Sequence, residues 1–224
     1  MFVDPEAPQR DALQEAAKWI RTGGLVALPT DTLYGLAADP FRADAVARVL
    51  TVKGRPEGRA LPLIAADADQ IAAHLSPLSP VAQRLAAKFW PGPLTLLISA
   101  PAALARDVTG DTGRVAVRVP AHDIARAICR AADRPITATS ANRSGQPATA
   151  DPAEVERALG EDIDLLIDTG PTRGGAPSTI VDVTGATPRL VRAGAVSWET
   201  PLAKAMGESG RGRTLSRSYV HIAF

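Results

Sequence analysis

An apolar run, Leu25-Val26-Ala27-Leu28, ends in Pro29, and Thr30, Asp31, Thr32 and Tyr34 follow before Gly35-Leu36. A continuous apolar run is the signature of a strand buried on both faces. A buried strand that breaks into a hydroxyl-rich loop is how open α/β sheets present side chains to a ligand, at the carboxyl ends of their strands. Gly35 reads as a place where the backbone comes close to something. The same residues also suit a plain strand end closed by a Ser/Thr turn.

Helical spacing of Leu13, Ala16, Ala17 and Ile20 predicts a helix over 11–22, stopped by Gly23-Gly24. Val46, Val49 and Leu50 predict a second over 42–52. Further helices are predicted over 68–75, 78–90 and 122–132, and one begins at Asp151-Pro152 with an N-cap and a first-turn proline. Trp90-Pro91-Gly92-Pro93 stops the helix before it. Strands are predicted over 61–66, 94–98, 135–139, 164–168, 179–183 and 189–191. This alternation predicts an α/β fold with one domain over 1–200. From about residue 200 the chain turns to Gly, Ser and Arg, apart from one short helix expected from Thr200-Pro201 to Met206. Residues 201–224 thus read as a flexible C-terminal tail.

Several function classes are excluded. The net charge of +1 argues against wholesale nucleic-acid binding, though not against a local basic site. With only 4% aromatic residues, the core must be built from Ala, Val, Leu and Ile. The single cysteine, Cys129, cannot form an intrachain disulfide, which suits a reducing compartment. Met1–Pro8 lacks the basic start and apolar core of a signal peptide, and no apolar run approaches membrane-spanning length. A cytoplasmic protein with no membrane contact is expected. There is no P-loop, no dinucleotide fingerprint and no metal-ligand cluster. His74, His122 and His221 are scattered and read as helix-surface or tail residues, so a Ser–His–Asp triad has no support.

What remains is a set of hydroxyls and cations. Lys53-Gly-Arg55-Pro-Glu-Gly-Arg59 packs three cations into seven residues of loop, which suits either a solvated surface or an anion site. Over Arg114–Pro120, Val115, Val117 and Val119 face one side, and Arg114, Ala116 and Arg118 the other. Two arginines on one face suit a shared grip on a ligand, or an edge strand guarded by charge. Ser140-Ala-Asn142-Arg-Ser-Gly145 suits an anion nest or an ordinary turn. Gly170–Ser178 is a long loop and a candidate lid. The hydroxyls Thr30, Thr32, Thr95, Thr139, Ser140 and Ser178, with the cations Lys53, Arg55, Arg59, Arg114, Arg118 and Arg192, suit binding of a polyanion and a small polar molecule. They also suit catalysis by positioning and charge neutralisation, as in phosphoryl or nucleotidyl transfer.

Taken together, these motifs resemble the YrdC family, the threonylcarbamoyl-AMP synthases. The matching pieces are Pro29-Thr-Asp-Thr-Leu-Tyr-Gly-Leu36, Lys53-Gly-Arg-Pro56, Trp90-Pro-Gly-Pro-Leu-Thr95, Val115-Ala-Val-Arg118, Thr139-Ser-Ala-Asn-Arg-Ser-Gly145, Ser178-Thr-Ile-Val-Asp182 and Leu190-Val-Arg-Ala-Gly194. The resemblance implies a twisted, mixed α/β sheet flanked by helices around a positively charged cavity. It implies formation of L-threonylcarbamoyladenylate and pyrophosphate from L-threonine, bicarbonate and ATP with Mg²⁺, for transfer to tRNA adenosine by a partner complex. Carried over by motif, Thr32, Arg118 and Ser178 would hold threonine. Lys53, Arg55, Ser140, Asn142 and Arg192 would hold ATP, with Lys53 and Arg55 as the catalytic cations. Arg59 and Arg114 also fall at ligand-contacting positions. The nucleophile would be a carbamate formed from substrate.

Two departures stand out. Some members carry a histidine shortly after Lys-x-Arg-Pro, where this chain has Leu61-Pro-Leu-Ile-Ala-Ala66. The family's Arg-Pro-Gly is here Arg192-Ala193-Gly194. The length beyond the motifs implies a short member, since about 25 residues are too few for the extra C-terminal domain of the long ones. Competing readings are formation of carbamoyl adenylate from carbamoyl phosphate and ATP, and a non-catalytic RNA-binding module, with the basic tail as a possible RNA contact.

Overall fold

The computed structural model describes residues 1–4, 9–54 and 58–197. Arg55, the helix expected from Thr200-Pro201 and the expected tail all lie outside the described residues. Helix α1 (Arg10–Arg21) leads into strand β1 (Val26–Leu28), whose residues are all buried. The chain turns through the hydroxyl-rich loop into β2 (Gly35–Ala37) and helix α2 (Ala43–Lys53). Then come β3 (Leu63–Ile64), α3 (Ala68–His74), α4 (Pro80–Phe89) and β4 (Leu94–Ser99). The short α5 (Arg106–Thr109) precedes β5 (Arg114–Arg118) and α6 (Asp123–Ala132). The rest is β6 (Ile136–Thr137), β7 (Thr139–Ser140), α7 (Pro152–Leu159), β8 (Leu165–Leu166), β9 (Thr179–Asp182) and β10 (Arg189–Arg192).

The α/β class is as expected, but the strands form two mixed sheets rather than one. The smaller has the order β7-β2-β1-β8, and the larger β10-β9-β4-β5-β3-β6. β1 runs antiparallel to β2 and parallel to β8. The run over 135–139, which reads as one strand, is split between the sheets: β6 pairs with β3, and β7 with β2. Thr137 makes this crossing. Its fully buried hydroxyl donates to Leu36 O and accepts from Ala38 N, while the amides of Thr137 and Ala138 donate to Ala38 O and Pro62 O. A buried hydroxyl with both capacities used stabilises such a junction, where an unpaired one would be costly.

Two apolar clusters sit on either side of this framework. Ala12, Ala16, Ala17 and Ile20 of α1 pack with Ile124, Ala125, Ile128, Cys129 and Ala132 of α6. The larger cluster joins β4, β5 and β3 to α2 and α4 through residues such as Val49, Leu63, Leu85, Leu96 and Val117. Small side chains on α1 and α6 let the two helix faces pack closely, the result of a composition poor in aromatics. Cys129 is buried in this core, and desolvation raises its thiol pKa, so it is not a thiolate nucleophile.

Candidate functional site

β5 lies inside the larger sheet, between β4 and β3, so its charged face does not guard an edge. Arg118 ends the strand and is buried. The pairing of Leu96 with Val117 places Thr95 beside Arg118, and Thr95 in turn pairs with Ile180 of β9. Ile180 pairs with Arg192 of β10. Arg118, Thr95 and Arg192 thus stand in one row across three of the strand pairings. Ser178, just before β9, completes the group: its hydroxyl is 2.7 Å from that of Thr95. Arg192 donates to Ser178 O at 2.8 Å through Nη2 and at 3.2 Å through Nε, and to its hydroxyl at 3.2 Å. Burial, and then the charge of Arg118, hold the Arg192 guanidinium below its ordinary pKa. Two cations therefore share one weakly solvated place, an arrangement that favours an anion between them.

Gly194 makes this clamp possible. A Cβ there would lie 2.2 Å from Pro177 O, so only glycine lets the chain past β10 approach Ser178. The amide of Ala195 then donates to Pro177 O, and Thr179 and Val196 bond reciprocally through the threonine hydroxyl. The substitution of alanine for proline at 193 leaves these contacts in place. Gly35 behaves otherwise: a Cβ there would meet its nearest atoms at 3.6 Å, an ordinary contact, so no close approach requires it.

The loop after β1 supplies the acid. Both carboxylate oxygens of Asp31 accept from a single nitrogen of Arg118, Nη1, at 2.7 and 2.9 Å. Each side chain is only 11% exposed. Desolvation lowers the pKa of Arg118 and the charge of Asp31 raises it, with burial the larger influence. The loop is held from several sides. Thr30 Oγ1 donates to Leu33 O and accepts from Thr32 N, and lies 3.3 Å from Thr32 Oγ1. Thr32 O accepts from Gly174 N and from the Thr172 hydroxyl. Tyr34 donates its hydroxyl to Gly170 O, and its pKa is raised chiefly by burial. The candidate lid, Gly170–Ser178, is thus tied to the opening motif at Gly170, Thr172 and Gly174.

Lys53, the last residue of α2, is buried and points into the 140–142 turn. Its Nζ donates to Ser140 O at 2.5 Å, Asn142 O at 2.8 Å and Asn142 Oδ1 at 3.2 Å. The Asn142 amide nitrogen donates to Arg143 O and Gln146 O, so this side chain shapes the turn. The cations that the sequence groups together are therefore divided. Arg118 and Arg192 lie near enough for one charge to act on the other. Lys53 organises the turn that carries Ser140 and Asn142. Arg59 is exposed and makes no hydrogen bond or ion pair among the described residues. Arg114, on the same strand face as Arg118, turns to Asp182 at 2.8 Å, so the two arginines do not grip one group.

Asp31 and His122 belong to this site without having been assigned to it from the sequence, whereas Thr95 was among the candidate hydroxyls but not among the residues assigned to threonine. Asp31 was legible as a charge inside a loop that leaves a buried strand. His122, expected on a helix surface, is instead the N-cap position of α6, with Nδ1 buried and no partner among the described residues. Desolvation holds its pKa below the ordinary histidine value, against the pull of Asp31 and Asp123. Among the described residues, no group of three or more His, Cys, Asp or Glu gathers to hold a metal ion, and no helix is long and apolar enough to cross a membrane.

Comparison with known proteins places this geometry. The model of the Sua5/YciO/YrdC family, described as telomere recombination, matches residues 18–194. A threonylcarbamoyl-AMP synthase of Pyrococcus abyssi is 40% identical over 193 residues, 86% of this chain and 56% of that protein. One of Halorhodospira halophila is 43% identical over 155 residues, 69% of this chain and 81% of that protein. The crystal structure of P. abyssi Sua5 complexed with L-threonine superposes with a TM-score of 0.86 at 38% identity, covering 93% of this chain and 61% of that one. Escherichia coli YciO superposes with a TM-score of 0.79 at 27% identity, covering 89% of this chain and 97% of that one. The chain thus spans little more than half the length of the archaeal relative, and most of the length of the others.

Proposed function

This chain belongs to the Sua5/YciO/YrdC family, and on that premise we propose that it makes L-threonylcarbamoyladenylate and pyrophosphate from L-threonine, bicarbonate and ATP. The observation that carries the reading is Arg118. It is buried at a strand end, beside Ser178 and Thr95, in a chain 38% identical to a structure holding L-threonine. Only its Nη1 is engaged. Nε and Nη2 make no hydrogen bond among the described residues, and they are not among the sealed unpartnered atoms, so they keep access to solvent. That open edge of the guanidinium suits a carboxylate approaching side-on.

In this reading the substrate carboxylate lies on Arg118, with the hydroxyls of Ser178 and Thr32 beside it. The triphosphate lies toward Arg192, Arg59 and the 140–142 turn that Lys53 holds and that carries Ser140 and Asn142, and Arg55, outside the described residues, is assigned to it by motif alone. Arg114 receives the least support as an ATP contact, since Asp182 already engages it. The threonine amine and bicarbonate give a carbamate and water. A carbamate oxygen attacks the α-phosphate, and pyrophosphate leaves. The chain's task is alignment and neutralisation of charge, so it needs no nucleophile of its own. Mg²⁺ would arrive on ATP as part of that substrate and would help to neutralise the triphosphate. The product passes to a transferase complex that modifies tRNA, a role placed in the cytoplasm, with direct RNA contact a further part of the proposal.

The deciding experiment is pyrophosphate release by the purified protein from ATP, Mg²⁺ and bicarbonate, with and without L-threonine. Release that requires both threonine and bicarbonate is expected. Release that requires carbamoyl phosphate instead would replace this reading with carbamoyl adenylate formation. Failure with either donor would leave a binding role.

A further inference from the structure

Asp31 engages Arg118 through one nitrogen although the guanidinium offers a two-nitrogen fork. A carboxylate present only to neutralise a buried arginine gains most from the parallel, two-nitrogen arrangement. The end-on contact leaves Nε and Nη2 for a second carboxylate while Asp31 stays in place. Its position does not depend on Arg118 alone. The residues on either side are fixed by the Thr30 hydroxyl and by the bonds from Thr172 and Gly174 to Thr32 O.

The local charges are unbalanced in a telling way. Asp31 is the acid that meets Arg118, and Arg192 is a second cation near enough to Arg118 for its charge to be felt. Asp182, another acid on this face of the sheet among the described residues, is taken up by Arg114, Arg189 and Thr184. A simple organic anion would match the cations and repel Asp31. A zwitterion matches both: its carboxylate meets the open edge of Arg118, and its ammonium, one carbon away, comes alongside Asp31. We infer that Asp31 is the seat of the substrate's α-ammonium group, and that it selects α-amino acids over hydroxy acids of the same carbon skeleton. The inference rests on the threonine-dependent reading above and adds to it the group that recognises nitrogen. His122, whose Nδ1 is buried without a hydrogen-bond partner among the described residues, lies near enough to Asp31 to feel its charge.

The test is isothermal titration of the full chain with L-threonine and with 3-hydroxybutyrate, which has the same carbon skeleton and lacks the amino group. The native chain is expected to bind threonine at least about tenfold more tightly, as a hydrogen bond between charged groups implies. Asp31→Asn is expected to weaken threonine by about tenfold to a hundredfold and to leave 3-hydroxybutyrate unchanged or tighter. Equal affinity of the native chain for the two compounds overturns the inference without recourse to any variant. So does an Asp31→Asn chain that binds threonine as well as or better than the native one, which would make Asp31 a plug on Arg118. Equal weakening of both compounds also overturns it, since Asp31 would then serve only to place Arg118. A native chain that binds no threonine, with or without ATP, removes the substrate reading itself.

Discussion

The two ends of β5 carry the same pair of residue types and use them oppositely. At one end Arg114 meets Asp182, whose side chain is 3% exposed. That carboxylate also accepts from Arg189, the Thr184 hydroxyl and the Thr184 amide, and these partners lower its pKa in spite of burial. At the other end Arg118 meets Asp31 through one nitrogen, in a loop rather than a strand. The first acid is saturated and lies within the sheet; the second meets Arg118 alone among the hydrogen bonds of the described residues and lies between Thr30 and Thr32 in a loop. The difference lies in unused capacity: an ion pair with every lone pair committed stabilises a fold, whereas one with an open edge can still bind.

Replacing Arg118 with alanine should break the second pair with the largest effect. We expect kcat/KM for threonine to fall about a hundredfold or more, since a charge-assisted contact made to substrate is lost. An assay of pyrophosphate release against threonine concentration measures this, and retention of native kinetics would erase the contrast between the two ends. Arg114→Ala should behave as a structural change. Asp182 keeps Arg189 and Thr184, so the expected cost is about 1–2 kcal/mol of stability by denaturant melt, with turnover within about twofold of native. A large rise in KM for ATP would instead restore Arg114 to the substrate site. Thr95→Val removes the hydroxyl opposite Ser178 while keeping shape. The expected rise in KM for threonine is about threefold to tenfold, from one neutral hydrogen bond, with KM for ATP little changed.

The smallest effect concerns His122. Burial holds its pKa below the ordinary value of 6.5. The unfolded chain therefore takes up a proton, as pH falls through that value, that the folded chain resists. His122 contributes stability fully above about pH 6.5, and that contribution is lost as pH falls toward the lowered value in the fold. His122→Gln should flatten the slope of stability against pH below about 6.5, seen in melts at descending pH. An unchanged slope would show that His122 gains a proton as freely in the fold as out of it.

The longer helices were legible because each carries its own period, while the four-residue α5 is too short to show one and was not expected. α1 and α6 fall where Leu13, Ala16, Ala17 and Ile20, and the apolar positions of 122–132, place them. Strand partners were not, because pairing is set by residues distant in sequence. β2 was missed: Gly35-Leu36-Ala37 is too short to show a period, and it forms because β1 and β7 flank it. The split of 135–139 between two sheets depends on Thr137, whose hydroxyl finds its partners in Leu36 and Ala38, about a hundred residues earlier. The site was readable as residue types and as motifs in order. The alternation on β5 placed Arg114 and Arg118 on one face, yet their different fates depend on Asp182 and Asp31, which no local pattern links to them. Likewise the hydroxyls of Thr95 and Ser178 could be gathered by type but not joined.

The grip of Lys53 on the 140–142 turn has a consequence for how this region tolerates change. Two of its acceptors among the described residues are main-chain carbonyls, of Ser140 and Asn142. A contact made to carbonyls is indifferent to the side chains that the same residues display. Substitution at 140 can therefore alter the chemistry offered on the outer side of the turn while its path in space stays anchored from beneath. The lysine acts as a mould and the turn as its casting, so that shape is inherited from the end of a helix and surface character can be written separately.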